Sequence, residues 1–156
     1  MGSLMDLVAG DARDIVLALS IDDVAAFDDP DRFLAHLSLG GGLDPTWLDL
    51  FSEAVRTVTV TDEPDDFLDA RTEVEGAAAT VERIVERVDT AWIEAVAKLP
   101  DELVDALAGA WIGLLEEELG LLPREEKPWI RDLAGRIVGF ARACDGARDV
   151  VFAWSL

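Results

Sequence analysis

An α+β fold, mostly helical with a small sheet, is what the 156-residue sequence predicts. Three observations carry that prediction. Apolar residues recur at helical spacing over most of the chain. The run Thr57-Val58-Thr59-Val60-Thr61 alternates strictly with period two. The run Val150-Val151-Phe152-Ala153-Trp154 is continuously apolar, as in a strand buried on both faces.

In order along the chain, Leu4, Leu7, Val8, Ile15 and Leu19 fall on one helical face, which Gly10 interrupts. Asp28-Asp29-Pro30 reads as a helix start, with Asp29 capping, Phe33, Leu34 and Leu37 as the apolar stripe, and Gly40-Gly41-Gly42 ending it. Asp44-Pro45 repeats the device before Leu48, Phe51 and Val55. The 57–61 strand follows, then an acidic loop over 62–69 and a second, weaker strand candidate over 71–75. Val81, Ile84, Val85 and Val88 line a further helical face, and 90–99 makes a short helix around Trp92, Ile93 and Val96. Pro100-Asp101-Glu102 opens the clearest helix, in which Leu103, Leu107, Trp111, Leu114 and Leu115 face one way and Gly120 is the stop. Beyond Pro128 a long helix carries Ile130, Leu133, Ile137, Phe140 and Cys144, and ends by Gly146. The expectation is therefore six to seven helices with a sheet that includes strands 57–61 and 150–155. No repeat, low-complexity tract or linker breaks the chain, so it reads as a single domain over 1–156.

Hydrophobic residues make up 51%, enough to fill an ordinary core, so the high charge does not signify disorder. Thirty-three Asp and Glu against thirteen Lys and Arg give a formal net charge of -20. Such a field repels phosphate backbones and anionic membrane faces, which argues against nucleic-acid and membrane partners. It favours solubility, a basic protein partner or divalent cations. Bases that are nearly all Arg, with abundant Ala and Val, fit a GC-rich or a salt-adapted genome equally well. A salt-adapted one would supply an environmental reason for the acidity.

The single cysteine, Cys144, permits no intramolecular disulfide and no cysteine-rich metal site. Asp6, Asp11 and Asp14 are unlike the positive start of a signal peptide, and no apolar stretch approaches the ~20 residues of a membrane span. A reducing cytoplasm is the expected setting.

His36 is the only histidine, hence the one candidate imidazole base, beside a glycine turn suited to the lip of a pocket. A hydrogen-bonded structural role competes with that reading. Gly40-Gly41-Gly42 continues into Leu43-Asp44-Pro45 rather than the Lys-Ser/Thr of a phosphate loop, so it reads as a connection. Asp62, Asp65 and Asp66 supply oxygens for a cation but lack EF-hand order, and Asp28, Asp29 and Asp31 admit the same alternative of cation site or solvated face. Glu116-Glu117-Glu118 lies against the dipole of its own helix C-terminus, which points outward to a basic partner or to Arg124 and Lys127. Cys144 falls on an apolar face as an inert thiol. Trp129, next to Pro128 at a helix start, is the tryptophan best placed for recognition.

No cofactor motif is present, and the poverty of catalytic constellations weighs against an enzyme. The leading expectation is a protein-interaction module of inhibitor or immunity type that binds a basic partner through Glu116, Glu117, Glu118 and Trp129. The alternative is a small-molecule binder or enzyme with a pocket at His36 and the Gly40–Gly42 turn.

Overall fold

The computed structural model describes residues 4–21, 23–40, 43–74 and 83–155. In chain order they form β1 (Leu4–Gly10), α1 (Ala12–Ser20), a 3-10 turn (Val24–Asp28), β2 (Ala35–Gly40), α2 (Thr46–Thr59), β3 (Arg71–Glu73) and β4 (Ile84–Val88). Next come α3 (Thr90–Ala97), a further 3-10 turn (Asp101–Leu103), α4 (Val104–Leu119), α5 (Glu126–Ala143) and β5 (Asp149–Ser155). The class is α+β, and every neighbouring pair in the sheet order β2-β1-β5-β4-β3 is antiparallel. The chain divides into two compact units, one of Met1–Leu43, Arg71–Thr90 and Ala143–Leu156, the other of Asp44–Ala70 and Ala91–Arg142.

The first unit is the sheet and α1. On one sheet face Val8, Val85, Val151 and Ala153 meet Ala12, Ile15, Ala18 and Leu19 of α1, with Phe27 and Phe33 completing the cluster. The start of α1 is held twice. The Asp11 side chain accepts the Arg13 N–H at 2.8 Å, and Asp149 of β5 accepts the Ala12 N–H at 3.0 Å. Gly10, the last residue of β1, lets the Phe33 ring pack close against the backbone, since a Cβ there would lie 3.1 Å from that ring.

The second unit is helical. Asp44 opens α2 as expected, accepting the Thr46 N–H at 2.9 Å in an Asx turn. Phe51 of α2 stands edge-on to Trp111 of α4, with centroids 5.1 Å apart, and Phe67 does the same to Trp92 of α3 at 4.9 Å. Both buried indole N–H groups are satisfied: Trp92 donates to the Ser52 hydroxyl and Trp111 to the Trp47 carbonyl, each at 2.8 Å. Arg142 of α5 donates to the Ala97 and Leu99 carbonyls and to Asp101, which fastens the end of α5 to the end of α3.

Several local expectations are corrected. The 57–61 segment is no strand: Thr57 to Thr59 is the last turn of α2, Val60 caps it and Thr61 bends away. Burial of Leu48, Phe51, Ala54 and Val55 along one face outweighs the β propensity of Thr and Val. The hydroxyls of Thr57 and Thr59 bond back to the Glu53 and Val55 carbonyls four residues earlier. Residues 4–10 are a strand rather than half a helix. The stretch from Met5 to Ala9 is buried at every position, the pattern of a central strand, which periodicity cannot separate from a buried helix.

The helix expected after Asp29-Pro30 is β2, where Leu37 and Leu39 are buried and Ser38 between them is exposed. Ile84, Val85 and Val88 belong to β4, in register with β5 and β3, while Val81 lies outside the described residues. The two helices replaced by β2 and β4 leave five α-helices among the described residues where six to seven were expected. The C-terminal strand, the strand beginning at Arg71, and the helices opened by Asp44, Thr90 and Asp101 stand as predicted, Gly120 terminating α4 at φ 86°.

Val60 ends α2 in the left-handed conformation (φ 53°, ψ 47°), a position that glycine normally fills and a β-branched side chain resists. Its side chain is almost fully exposed, so it gains little from burial in return. Val60→Gly is expected to stabilise the protein by a few tenths to about 1 kcal/mol, the relief of strain exceeding the added unfolded-state freedom, read as a higher urea midpoint at unchanged slope.

Candidate functional site

Two side-chain groupings stand out, one in each unit. In the sheet unit, β1 and β2 place Asp6 and His36 on the face that carries Val8 and α1. His36 sits opposite Val8 in the ladder, one step diagonally from Asp6. Its Nε2 lies 2.8 Å from Asp6 Oδ1 and its Nδ1 2.8 Å from Asp28 Oδ1 at the end of the first 3-10 turn. The other Asp6 oxygen accepts from Arg83 Nη1 at 2.8 Å, just ahead of β4. The Phe27 ring packs against the imidazole in a tilted arrangement, with centroids 5.4 Å apart. His36, Asp6 and Arg83 are nearly buried, at 11%, 11% and 14% side-chain exposure, whereas Asp28 is 76% exposed.

The geometry favours the doubly protonated ring. A neutral imidazole has one donor and one acceptor, and here each ring nitrogen faces a carboxylate, an arrangement that only hydrogen on both nitrogens satisfies fully. Burial opposes a charged ring, but the hydrogen bonds to Asp6 and Asp28, with the charges of the two carboxylates, outweigh it and raise the pKa above the ordinary 6.5. Burial likewise opposes the Asp6 carboxylate. The hydrogen bonds from His36 and Arg83 and their positive charge overcome it, holding Asp6 below its ordinary 3.8. Two carboxylates and two cations thus cancel within one cluster. In this arrangement His36 has no free lone pair to act as a base. Of the glycine turn beside it, Gly40 ends β2 at φ 74°, and Gly41 and Gly42 lie outside the described residues.

In the helical unit, α4 ends in Glu116-Glu117-Glu118-Leu119 with no basic residue in its last turn. Lys127, in the first turn of α5, reaches Glu116 at 3.3 Å, so this pair draws the end of α4 to the start of α5. Glu117 and Glu118 remain exposed. Further along the same segment Leu119, Leu121 and Trp129 are exposed at 56%, 91% and 41%. Of the residues the sequence singled out, the three glutamates lie in the last turn of α4 and Trp129 in the first turn of α5. The two leucines were missed, although Leu121 and Leu122 beside a terminating Gly120 are an apolar pair in a loop, which is itself a signal.

The remaining candidates separate. Asp62 lines a shallow groove of about 480 Å³ with Glu53, Arg56, Thr57, Val60 and Thr61 at the end of α2. Asp66 is paired with Arg56 at 2.8 Å, and Asp65 is exposed. Among the described residues no three His, Cys, Asp or Glu side chains come together to hold a metal ion, and no helix is long and apolar enough to cross a membrane. Asp29 accepts the Asp31 N–H in a local turn at 2.9 Å, while Asp28 alone of that acidic trio reaches His36. Cys144 is buried, and burial pushes its thiol up to about 12, which makes it inert at neutral pH.

No protein-family model matches the chain, no characterised protein matches it, and no solved structure matches it.

The charge cluster makes stability depend on pH at both ends. His36, raised in the fold, contributes fully below pH 6.5 and loses its contribution as pH climbs through the higher folded value. Asp6, lowered in the fold, contributes above 3.8 and loses its share as pH falls through the folded value below that. Asp6→Ala leaves two nearly buried cations without their shared anion and is expected to cost about 3–5 kcal/mol at pH 6 by urea denaturation. The loss should be smaller at pH 9 than at pH 6.

Proposed function

We propose that the chain is an acidic protein-interaction module that docks a basic protein partner through the turn between α4 and α5. The observation that carries this reading is that exposed apolar side chains, Leu119, Leu121 and Trp129, and the exposed carboxylates Glu117 and Glu118 all fall on the segment from the end of α4 to the first turn of α5, whose two ends the Lys127–Glu116 pair draws together. A centre of aromatic and aliphatic anchors rimmed by charge is the usual make-up of a protein–protein contact. Glu117 and Glu118 also sit at the negative end of the α4 dipole, where they cost the helix a few tenths of a kcal/mol each or more. A cationic surface would relieve that cost. The net charge of -20 adds long-range attraction for the same partner and repels acidic competitors. Arg124, exposed in the same turn, is the local charge such a partner must accommodate.

An inhibitor or antidote that caps a basic protein in the cytoplasm fits this picture. The alternative, a small-molecule site or enzyme at His36 and the Gly40–Gly42 turn, has less in its favour, because both ring nitrogens of His36 are engaged by carboxylates.

Affinity capture from the source lysate at low and high salt tests the proposal when run beside Trp129→Ala and the double variant Glu117→Lys/Glu118→Lys. The expected result is a stoichiometric basic protein, released by salt, whose retention falls at least tenfold in both variants. Each change should remove about 1.4–3 kcal/mol of binding. Retention of the same partner by both variants would place docking elsewhere, and no salt-sensitive partner at all would end the proposal.

A further inference from the structure

The His36 cluster has one feature that a purely structural ion pair lacks: its two carboxylates are held unequally. Asp6 is nearly buried in β1 and is also gripped by Arg83, while Asp28 is mostly in water at the end of a short 3-10 turn. A ring that gives up one proton can keep only one carboxylate, since its bare lone pair would then face the other anion. Asp6 has nowhere to go. Asp28 can rotate into solvent at little cost.

We propose that His36 is a proton-operated latch on the Val24–Asp28 turn: with both ring nitrogens protonated it fastens the turn to the sheet through Asp28, and on losing the Nδ1 proton it keeps Asp6 and releases Asp28. The proton goes to solvent, the Nδ1–H electron pair stays on the ring, and the surviving Nε2–H continues to donate to Asp6. The groups that face the ring are Asp6 from β1, Asp28 and the Phe27 ring from the turn, and, one contact further, Arg83 ahead of β4. Arg32 beyond the turn is engaged with Asp23 at 3.7 Å and lies over the Phe33 ring. The charged residues of the first turn of α1, Arg13 and Asp14, are exposed. Release matters because the turn carries Phe27, fully buried and edge-on to Phe33 at 5.3 Å. The latch therefore governs whether an apolar ring at the margin of the sheet stays covered. The raised pKa of His36 puts the change on the alkaline side of 6.5.

Amide exchange and ring nitrogen shifts, followed together by NMR from pH 5 to pH 9 on the full chain, test it. The amides to watch are those of Ala26 and Asp29, which bond within the turn to the Asp23 and Ala26 carbonyls. After correction for the intrinsic rate, their protection should hold steady at low pH. It should then fall about tenfold per pH unit between the His36 midpoint of the open turn and the higher midpoint of the closed one. Amides of β5 should show no such step, and the neutral ring should be the Nε2–H tautomer. Asp28→Asn, at an exposed position, offers both an acceptor and a donor to the ring. It should lower the His36 midpoint and abolish the pH step in the turn while leaving the fold intact. A neutral ring protonated at Nδ1, turn protection unchanged through the titration, or an Asp28→Asn profile identical to wild type would each overturn the latch.

Discussion

The sheet depends on β5. Asp149–Ser155 is paired on both sides, with β1 along its whole length and with β4 over Ile84–Arg87, and its residues Val150 to Ala153 are buried. Take it away and β1 with β2 is one hairpin-like pair, β4 with β3 another, with nothing joining them. Two-stranded pairs of that kind are marginal in water, and three or more strands with a covered face are needed for independent stability. The same strand reaches the start of α1 through Asp149, 137 positions from the Ala12 amide it accepts. The sheet is thus closed by contacts between the most distant parts of the chain. Non-local pairing of this sort repays the chain only after the loop entropy has been spent.

How much of this was legible follows from where the information lies. Helix starts are local chemistry, and Asp44 before Pro45 can be read because an Asx turn needs only its own neighbours. Strand β5 was legible from its unbroken apolar run. Strand β1 is apolar but for Asp6, and it adjoins a true helix at Ala12, so the two merged into one apparent face. Thr57–Thr61 misled for the opposite reason: its alternation is real, and the burial of Leu48, Phe51 and Val55 upstream decides its conformation. The α4–α5 turn was half legible, since its glutamates and Trp129 are conspicuous in any sequence. The charge cluster was not, because His36 finds partners 30 positions back in Asp6 and 8 back in Asp28. One signal was available. Asp6 stands alone among Met5, Leu7, Val8 and Ala9, and a carboxylate inside a continuous apolar strand has to be paired.

The chain carries its charge in two different ways. Inside the sheet unit, Asp6 and Asp28 are balanced by His36 and Arg83, so the nearly buried polar cluster adds no net field and is held by geometry. At the surface the excess is left uncompensated, Glu117 and Glu118 among it, and the field it makes is screened by salt within a Debye length of about 8 Å at physiological ionic strength. Ionic strength and pH therefore act on different parts of the molecule. Salt weakens what the surface attracts, and proton concentration alters what the sheet margin holds closed.

Leu4 and Ser155 face each other across the β1–β5 ladder. Strand partners lie ~5 Å apart, so the first residue of β1 and the last of β5 stand side by side at one end of the sheet. Two dyes attached there would be close enough to quench one another in the folded state and would separate once β5 detaches. A single optical signal would then report the integrity of the whole sheet.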